Sequence, residues 1–336
     1  MTRANVPSSA EAITAPGAAS STGLHRRFSF GDSGLLIIFI VLFVVLSATV
    51  PYFLTTRNMV GLALSVAQLG MVACTMMFCL ASRDFDLSVG STVAFAGVSA
   101  VMVMNATGSI VLGIVCGLLC GVTVGFVNGY IIARIKINAL ITTLATMEMV
   151  RGLAYIVTGG RAVGVSDADF FVIGNAQILG VPAPIWITVI CFVVFGVLLN
   201  KSVYGRNTLA IGGNPDASRL AGVDVEKTRI IIFTVQGMIC GLAGIILASR
   251  ITSGQPNSSL GFELSVISAC VLGGVSLAGG RATIRGVVVG VLIMGTLQDA
   301  MNLMDIPVFY QYLVRGTILL LAVGFDQLRV TRRRKA

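Results

Sequence analysis

Ten stretches of this chain are apolar almost without a break, at roughly 34–54, 59–81, 88–105, 109–133, 138–158, 184–200, 228–249, 262–279, 283–302 and 308–326. A helix crosses the hydrocarbon core of a bilayer in about 20 residues, so each stretch is close to one crossing. Water cannot be the main solvent of such a chain. Only 11% of its 336 residues are charged, whereas a soluble domain carries about 25%. The runs are too continuous for a membrane barrel, whose strands alternate over segments of about ten residues. The expected fold class is therefore an all-α polytopic membrane protein with about ten transmembrane helices.

Orientation follows from the basic residues, which favour cytoplasmic connections. With the N-terminus inside, 18 lysines and arginines fall on cytoplasmic segments. Only Arg57, Arg161 and Arg250 fall outside, and Arg151 and Arg315 lie within helices. An odd number of crossings would put the basic C-terminus outside, so both termini are placed in the cytoplasm. Residues 1–33, rich in Ala, Ser, Thr and Pro, read as a disordered cytoplasmic tail. The run after His25-Arg26-Arg27 lacks a cleavage site and is longer than a signal core, so it reads as the first crossing. Residues 34–326 form the transmembrane domain, with a long cytoplasmic loop at 201–227, and 327–336 are a basic cytoplasmic tail.

The net charge of +9 is explained by this orientation, which removes the case for nucleic acid as a partner. All seven cysteines lie in apolar runs, which suits small buried hydrophobes. The only histidine, His25, lies in the tail, so histidine metal sites and histidine-dependent catalysis are not expected. No Gly-x-x-x-x-Gly-Lys-Ser/Thr loop occurs, so any ATP that drives this chain is hydrolysed on another subunit.

Gly113, Gly117, Gly121, Gly125 and Gly129 recur every fourth residue, and Gly237, Gly241 and Gly244 form a second set. Helices associate in lipid through close backbone approach, which small residues permit. A weak internal likeness links Asp86–Ser91 and Gly274–Gly280, two polar, glycine-bearing interruptions of apolar sequence. Such pairs often mark a mid-membrane pathway.

Three sets of residues are candidates for function. In Ser82–Gly90, two carboxylates and an arginine interrupt apolar sequence; ionisable groups at depth persist when paired or when they line water. An ordinary cytoplasmic turn is the simpler alternative. Glu148 and Arg151 lie three apart on one helix face and are expected to pair. The polar run Asn138, Thr142, Thr143 and Thr146 precedes them. Asp84, Asp86, Ser88, Asn138, Thr142, Thr143, Glu148 and Arg151 are therefore the candidate pathway residues. Within the loop at 201–227, residues 216–221 read as a short helix capped by Asn214 and stopped at Gly222, a stub suited to docking or simply a solvated connection.

Asp86-Leu-Ser-Val-Gly90, Asn138–Met147, Leu209–Asn214, Arg219–Gly222 and Val271–Ser276 together resemble the permease subunits of bacterial ABC importers for pentoses and hexoses, across residues 34–326. Asp84–Val89, Lys136–Leu140, Arg151–Tyr155 and Ala248–Pro256 are most similar to the L-arabinose branch. The resemblance implies two copies of this chain, a cytoplasmic ATPase with two nucleotide-binding domains, and a periplasmic sugar-binding protein, all at the bacterial inner membrane. It implies no cofactor here, with ATP and Mg held by the ATPase. It implies that Arg206, Asn207, Gly213, Asn214, Asp216, Ala217, Arg219 and Gly222 couple to that ATPase. Asp216–Gly222 keeps the spacing of the importer signature Glu-Ala-Ala-x-x-x-Gly, with Asp for Glu and Ser for the second Ala. Arg83 departs from the family's usual glycine. Other classes remain: an ion-coupled transporter using Asp84, Asp86 or Glu148, a structural membrane protein, and a membrane enzyme, for which no catalytic group emerges.

Overall fold

The computed structural model describes residues 30–335, so the expected tail before residue 30 lies outside the described residues. Helices α1 (Phe30–Thr49), α2 (Thr56–Ala81), α3 (Val89–Thr107), α4 (Ile110–Tyr130) and α5 (Ala139–Thr158) follow one another through short connections. A single π-helical turn, Ile131–Ile135, extends α4. Then come β1 (Val163–Gly164), α6 (Phe170–Asn175), β2 (Gln177–Ile178), β3 (Val181–Pro182) and α7 (Ala183–Lys201). The chain ends with α8 (Val203–Gly213), α9 (Pro215–Leu220), α10 (Val225–Arg250), β4 (Ser253–Gly254), α11 (Phe262–Leu272), α12 (Ile284–Leu303) and α13 (Val308–Lys335). Among the described residues, seven helices are long and apolar enough to cross a membrane, and shorter apolar helical stretches lie at Gly34–Thr49, Phe262–Leu272 and Val308–Gly324. The fold is thus an all-α polytopic membrane protein.

Helix α2 is the centre of the bundle. Every residue from Leu69 to Ala81 is buried, as expected of a helix apolar on all sides. Around it, α4 and α10 meet backbone to backbone. A Cβ on Gly121 would strike the Gly237 carbonyl, one on Gly237 would strike the Gly121 carbonyl, and one on Gly125 would strike the Phe233 carbonyl. Gly113 and Gly117 meet the α3 carbonyls of Ala100 and Ala96 in the same way. All five glycines of the α4 stripe are buried, so the stripe is a packing seam.

Three expectations change. The run at 262–279 is helical only to Leu272, because Gly274, Gly279 and Gly280 adopt positive φ and turn the chain. The long cytoplasmic loop contains a second helix, α8, held on the bundle by Ile211 and by Tyr204 stacked on Phe78 at 5.0 Å. The C-terminal segment at 327–335 continues α13.

The connections expected in the cytoplasm gather at one end of the bundle. Residues 82–88, the turn after α4, the α8–α9 hairpin and the 273–283 connection all touch there. At the other end, β1 pairs with β4, and Asn58 on α2 donates to Asp299 on α12 (2.9 Å). After α10 the chain folds back into the bundle. Gly254 packs on Val98, and Ser259 and Glu263 lie beside Gly90. That is a descent of about 12 Å along α3. Helix α11, about 16 Å long, therefore spans only the inner half.

Candidate functional site

The inner junction is built on the segment between α2 and α3. Its polar residues are buried: Ser82 0%, Asp84 5%, Asp86 2% and Ser88 1% exposed. These polar side chains are packed into the protein, while Arg83 between them is exposed. The Asp84 carboxylate pairs with Arg229 Nε at 2.9 Å, and Arg229 stands in the first turn and a half of α10. Burial pushes the Asp84 carboxyl up to about 6, against the opposing pull of the Arg229 guanidinium.

Arg83 pairs with neither neighbouring carboxylate. Its φ of 68° lies in the left-handed region, where glycine is at ease. The guanidinium instead donates to the carbonyls of Ala278 and Gly213. The backbone strain of the non-glycine residue is offset by two charge-assisted hydrogen bonds. The Gly280 amide donates to the Ala81 carbonyl (2.8 Å). The 274–280 interruption therefore meets the chain at Ala81 and Arg83, just before the Asp86–Ser91 interruption, together with the end of α8.

Asp86 accepts from the Ser88 amide (2.9 Å) and hydroxyl (2.6 Å), and Asn128 of α4 donates to the Ser88 hydroxyl (2.9 Å). The Thr143 hydroxyl donates to the Ala139 and Phe85 carbonyls. The Asn128 Oδ1 and the Thr142 hydroxyl are buried without a hydrogen-bond partner. Burial raises the Asp86 carboxyl from 3.8 to about 6, although the Ser88 groups oppose the shift. A carboxylate raised on folding favours the folded state most below its unfolded value and loses that contribution as pH rises through the folded one. Thermal midpoints in detergent should thus fall between about pH 4 and 6 in the wild type. Asp86→Asn should flatten much of that fall, leaving the part due to Asp84. An unchanged pH profile in Asp86→Asn would refute this.

Asp84, Asn138 and Arg219 line one cavity of about 360 Å³ with Lys136, Glu226 and Arg229. Asn138 caps α5 by accepting from the Leu140 amide (2.8 Å). Asp86, Ser88 and Thr143 form the buried cluster above it. The expected Glu148–Arg151 pair does not form. Arg151 turns to the Pro256 and Ser258 carbonyls (2.6 and 2.8 Å) of the returning strand, and Glu148 is left exposed near the middle of α5. Two carbonyls fixed by the returning chain satisfy the guanidinium better than one flexible neighbour on its own helix.

Beyond the junction, Asn214 caps α9 by accepting from the Asp216 and Ala217 amides (3.0 and 3.1 Å), and Gly222 ends it with φ of 85°. Arg206, Gly213, Asp216, Ala217, Arg219 and Gly222 are exposed, Asn207 is half-buried, and Leu220 is 92% exposed. Sequence reasoning missed Gly212, whose Cβ would strike the Ala81 carbonyl and the Gly280 amide, whereas Gly213 faces open space. It also missed Asn128 and the pairing role of Arg229, which had signalled only a positive charge.

An apolar helix bundle with a buried polar junction at one end, and a two-helix segment seated on that junction with α9 exposed, is the architecture of a polytopic membrane protein. The chain belongs to the family described as branched-chain amino acid transport system / permease component, whose model matches residues 58–323. It is 58% identical over 311 residues to the L-arabinose transport system permease protein AraH of Escherichia coli (strain K12), covering 91% of this chain and 95% of that protein. It is 58% identical over 302 residues to the L-arabinose ABC transporter permease protein AraH of Azospirillum brasilense, covering 90% and 89%. It is 40% identical over 289 residues to the ribose import permease protein RbsC of Bacillus subtilis (strain 168), covering 85% and 90%. No solved structure matches the chain at a significant level.

Proposed function

We propose that this chain is the membrane-spanning subunit of an ATP-driven importer that carries L-arabinose across the bacterial inner membrane. The observation that carries the reading is the junction: the exposed α8–α9 hairpin is tied through Gly212, Arg83 and the Asp84–Arg229 pair to the buried segment 82–88. The 58% identity to two permeases named for L-arabinose supports the sugar.

In this reading α8–α9 docks on a cytoplasmic ATPase with two nucleotide-binding domains, which holds ATP and Mg. A periplasmic binding protein delivers the sugar. Two copies of the chain enclose the path. An exposed glutamate near the middle of a membrane helix is costly against acyl chains, so Glu148 fits a water-lined path between copies. Closure of the ATPase moves α8–α9, and the junction passes the movement to the bundle, which opens alternately to each side. The exposed Asn138 amide and the unpartnered Thr142 hydroxyl suit the passage of a sugar, since they exchange hydrogen bonds without fixing a charge, while Ser88 and Thr143 are held in the cluster beside them.

The test is uptake of labelled L-arabinose by proteoliposomes holding the assembled transporter and its binding protein, with and without internal ATP. Uptake that needs both supports the proposal. Uptake that follows an ion gradient and ignores ATP overturns it. Gly222→Arg is expected to leave membrane insertion intact and to lower uptake about tenfold while ATP hydrolysis continues. An arginine is strained by about 1–3 kcal/mol at that φ and adds charge to the docking face. Normal uptake in Gly222→Arg would remove the coupling role of the hairpin.

A further inference from the structure

A second cavity, of about 340 Å³, lies near the middle of the bundle, around the first turn of α11. Small-molecule sites occupy roughly 300–1,000 Å³. Five of its polar lining residues are neutral: Ser65 and Gln68 of α2, Ser258 and Ser259 of the returning chain, and Ser265 of α11. These five side chains make no hydrogen bond to other described residues. Two further residues close the ring. The Gln298 amide is held by Asn302 and Gln311. Arg315 lies over the Tyr312 ring at 5.0 Å, and its Nε is buried without a hydrogen-bond partner. Leu69 and Phe262 supply apolar wall.

Free polar groups at membrane depth cost about 1–3 kcal/mol each unless water or a ligand meets them. An acyl chain leaves all of them unmet. An anion is matched by one guanidinium alone. A neutral polyol matches the set: it donates to and accepts from hydroxyls and amides on several sides, and its C–H face packs on Phe262.

We propose that this cavity is a transient binding site for a neutral monosaccharide inside the single subunit, reached before the junction, in which Gln68, Ser265 and Arg315 hold the sugar hydroxyls. The inference rests on the importer reading and adds a substrate site to it. Arg151 serves the site at one remove, since it fixes the carbonyls of Pro256 and Ser258 and so positions the strand that presents Ser258 and Ser259.

The test uses the assembled transporter in nanodiscs. Saturation-transfer NMR with L-arabinose, in the absence of the binding protein, should show contact with the wild type. The double variant Gln68→Leu/Ser265→Leu should lose that signal and lower uptake about tenfold or more. Because added bulk also disturbs packing, Ser65→Ala and Ser259→Ala are measured too. Each deletes one hydroxyl, and each should weaken the sugar signal about two- to fivefold with an unmoved thermal midpoint. A wild type that imports L-arabinose while every variant imports it equally well overturns the cavity site and leaves the importer reading standing. So does native mass spectrometry showing a phospholipid that the double variant releases, with no sugar signal in the wild type. A wild type that imports no L-arabinose removes the importer reading, and the cavity site falls with it.

Discussion

Arg229→Gln is expected to destabilise the permease by about 3–5 kcal/mol near neutral pH, the usual cost of stripping one partner from a buried ion pair. Asp84 is 7% exposed at its side chain and Arg229 23%, so solvent replaces the lost guanidinium only in part. Uptake should fall with stability, because the pair joins the start of α10 to segment 82–88. Two further measurements separate this cause from general damage. Arg229 holds the Asp84 carboxyl down against burial, so in Arg229→Gln that carboxyl rises above its present value of about 6. At pH 5 it is then neutral, and the loss in thermal midpoint should shrink relative to pH 8. The double variant Arg229→Gln/Asp84→Asn leaves no buried charge and should recover much of the stability. A defect equal at both pH values, with no recovery in the double variant, would show that the pair is not the cause.

Gly212→Ala should be as damaging. The added methyl would lie on the Ala81 carbonyl and the Gly280 amide, which are themselves hydrogen-bonded to each other. Neither is the end of a flexible side chain, so α8 must move away from the bundle. Overpacking of this kind costs about 1–3 kcal/mol even where side chains can yield. Here the loss should appear mainly as failed coupling, with ATP hydrolysis no longer linked to uptake. Gly213→Ala is the control for space, since nothing lies within 4 Å of a Cβ there, and its thermal midpoint should match the wild type. Equal behaviour of the two variants would mean that α8 is not seated as described.

The apolar helices were legible because lipid imposes length on them. The α9 cap was legible as well, since Asn214 and Gly222 carry local signals. What could not be read depended on distant partners. Glu148 and Arg151 have pairing geometry, but the carbonyls of Pro256 and Ser258 exist as acceptors only once the chain has folded back. Gly212 and Gly213 are adjacent and chemically identical, and only the approach of Ala81 and Gly280 tells them apart. Arg229 reads as one more cytoplasmic charge until Asp84 is placed against it. The departure at Arg83 was visible, but its remedy, two carbonyls from separate segments, was not.

The glycine seams carry a consequence for the transport stroke. Helices α3, α4 and α10 touch through main-chain atoms at Ala100, Ala96, Gly237 and Phe233. A rotation of one against another by even a fraction of a turn would bring a side chain where only hydrogen now fits. The three therefore travel as a single beam. Its end at the junction is gripped through Arg229, a few residues beyond the hairpin that we propose receives the push. The opening and closing of the path must then arise where the beam meets its neighbours, along α5 on one side and α2 on the other.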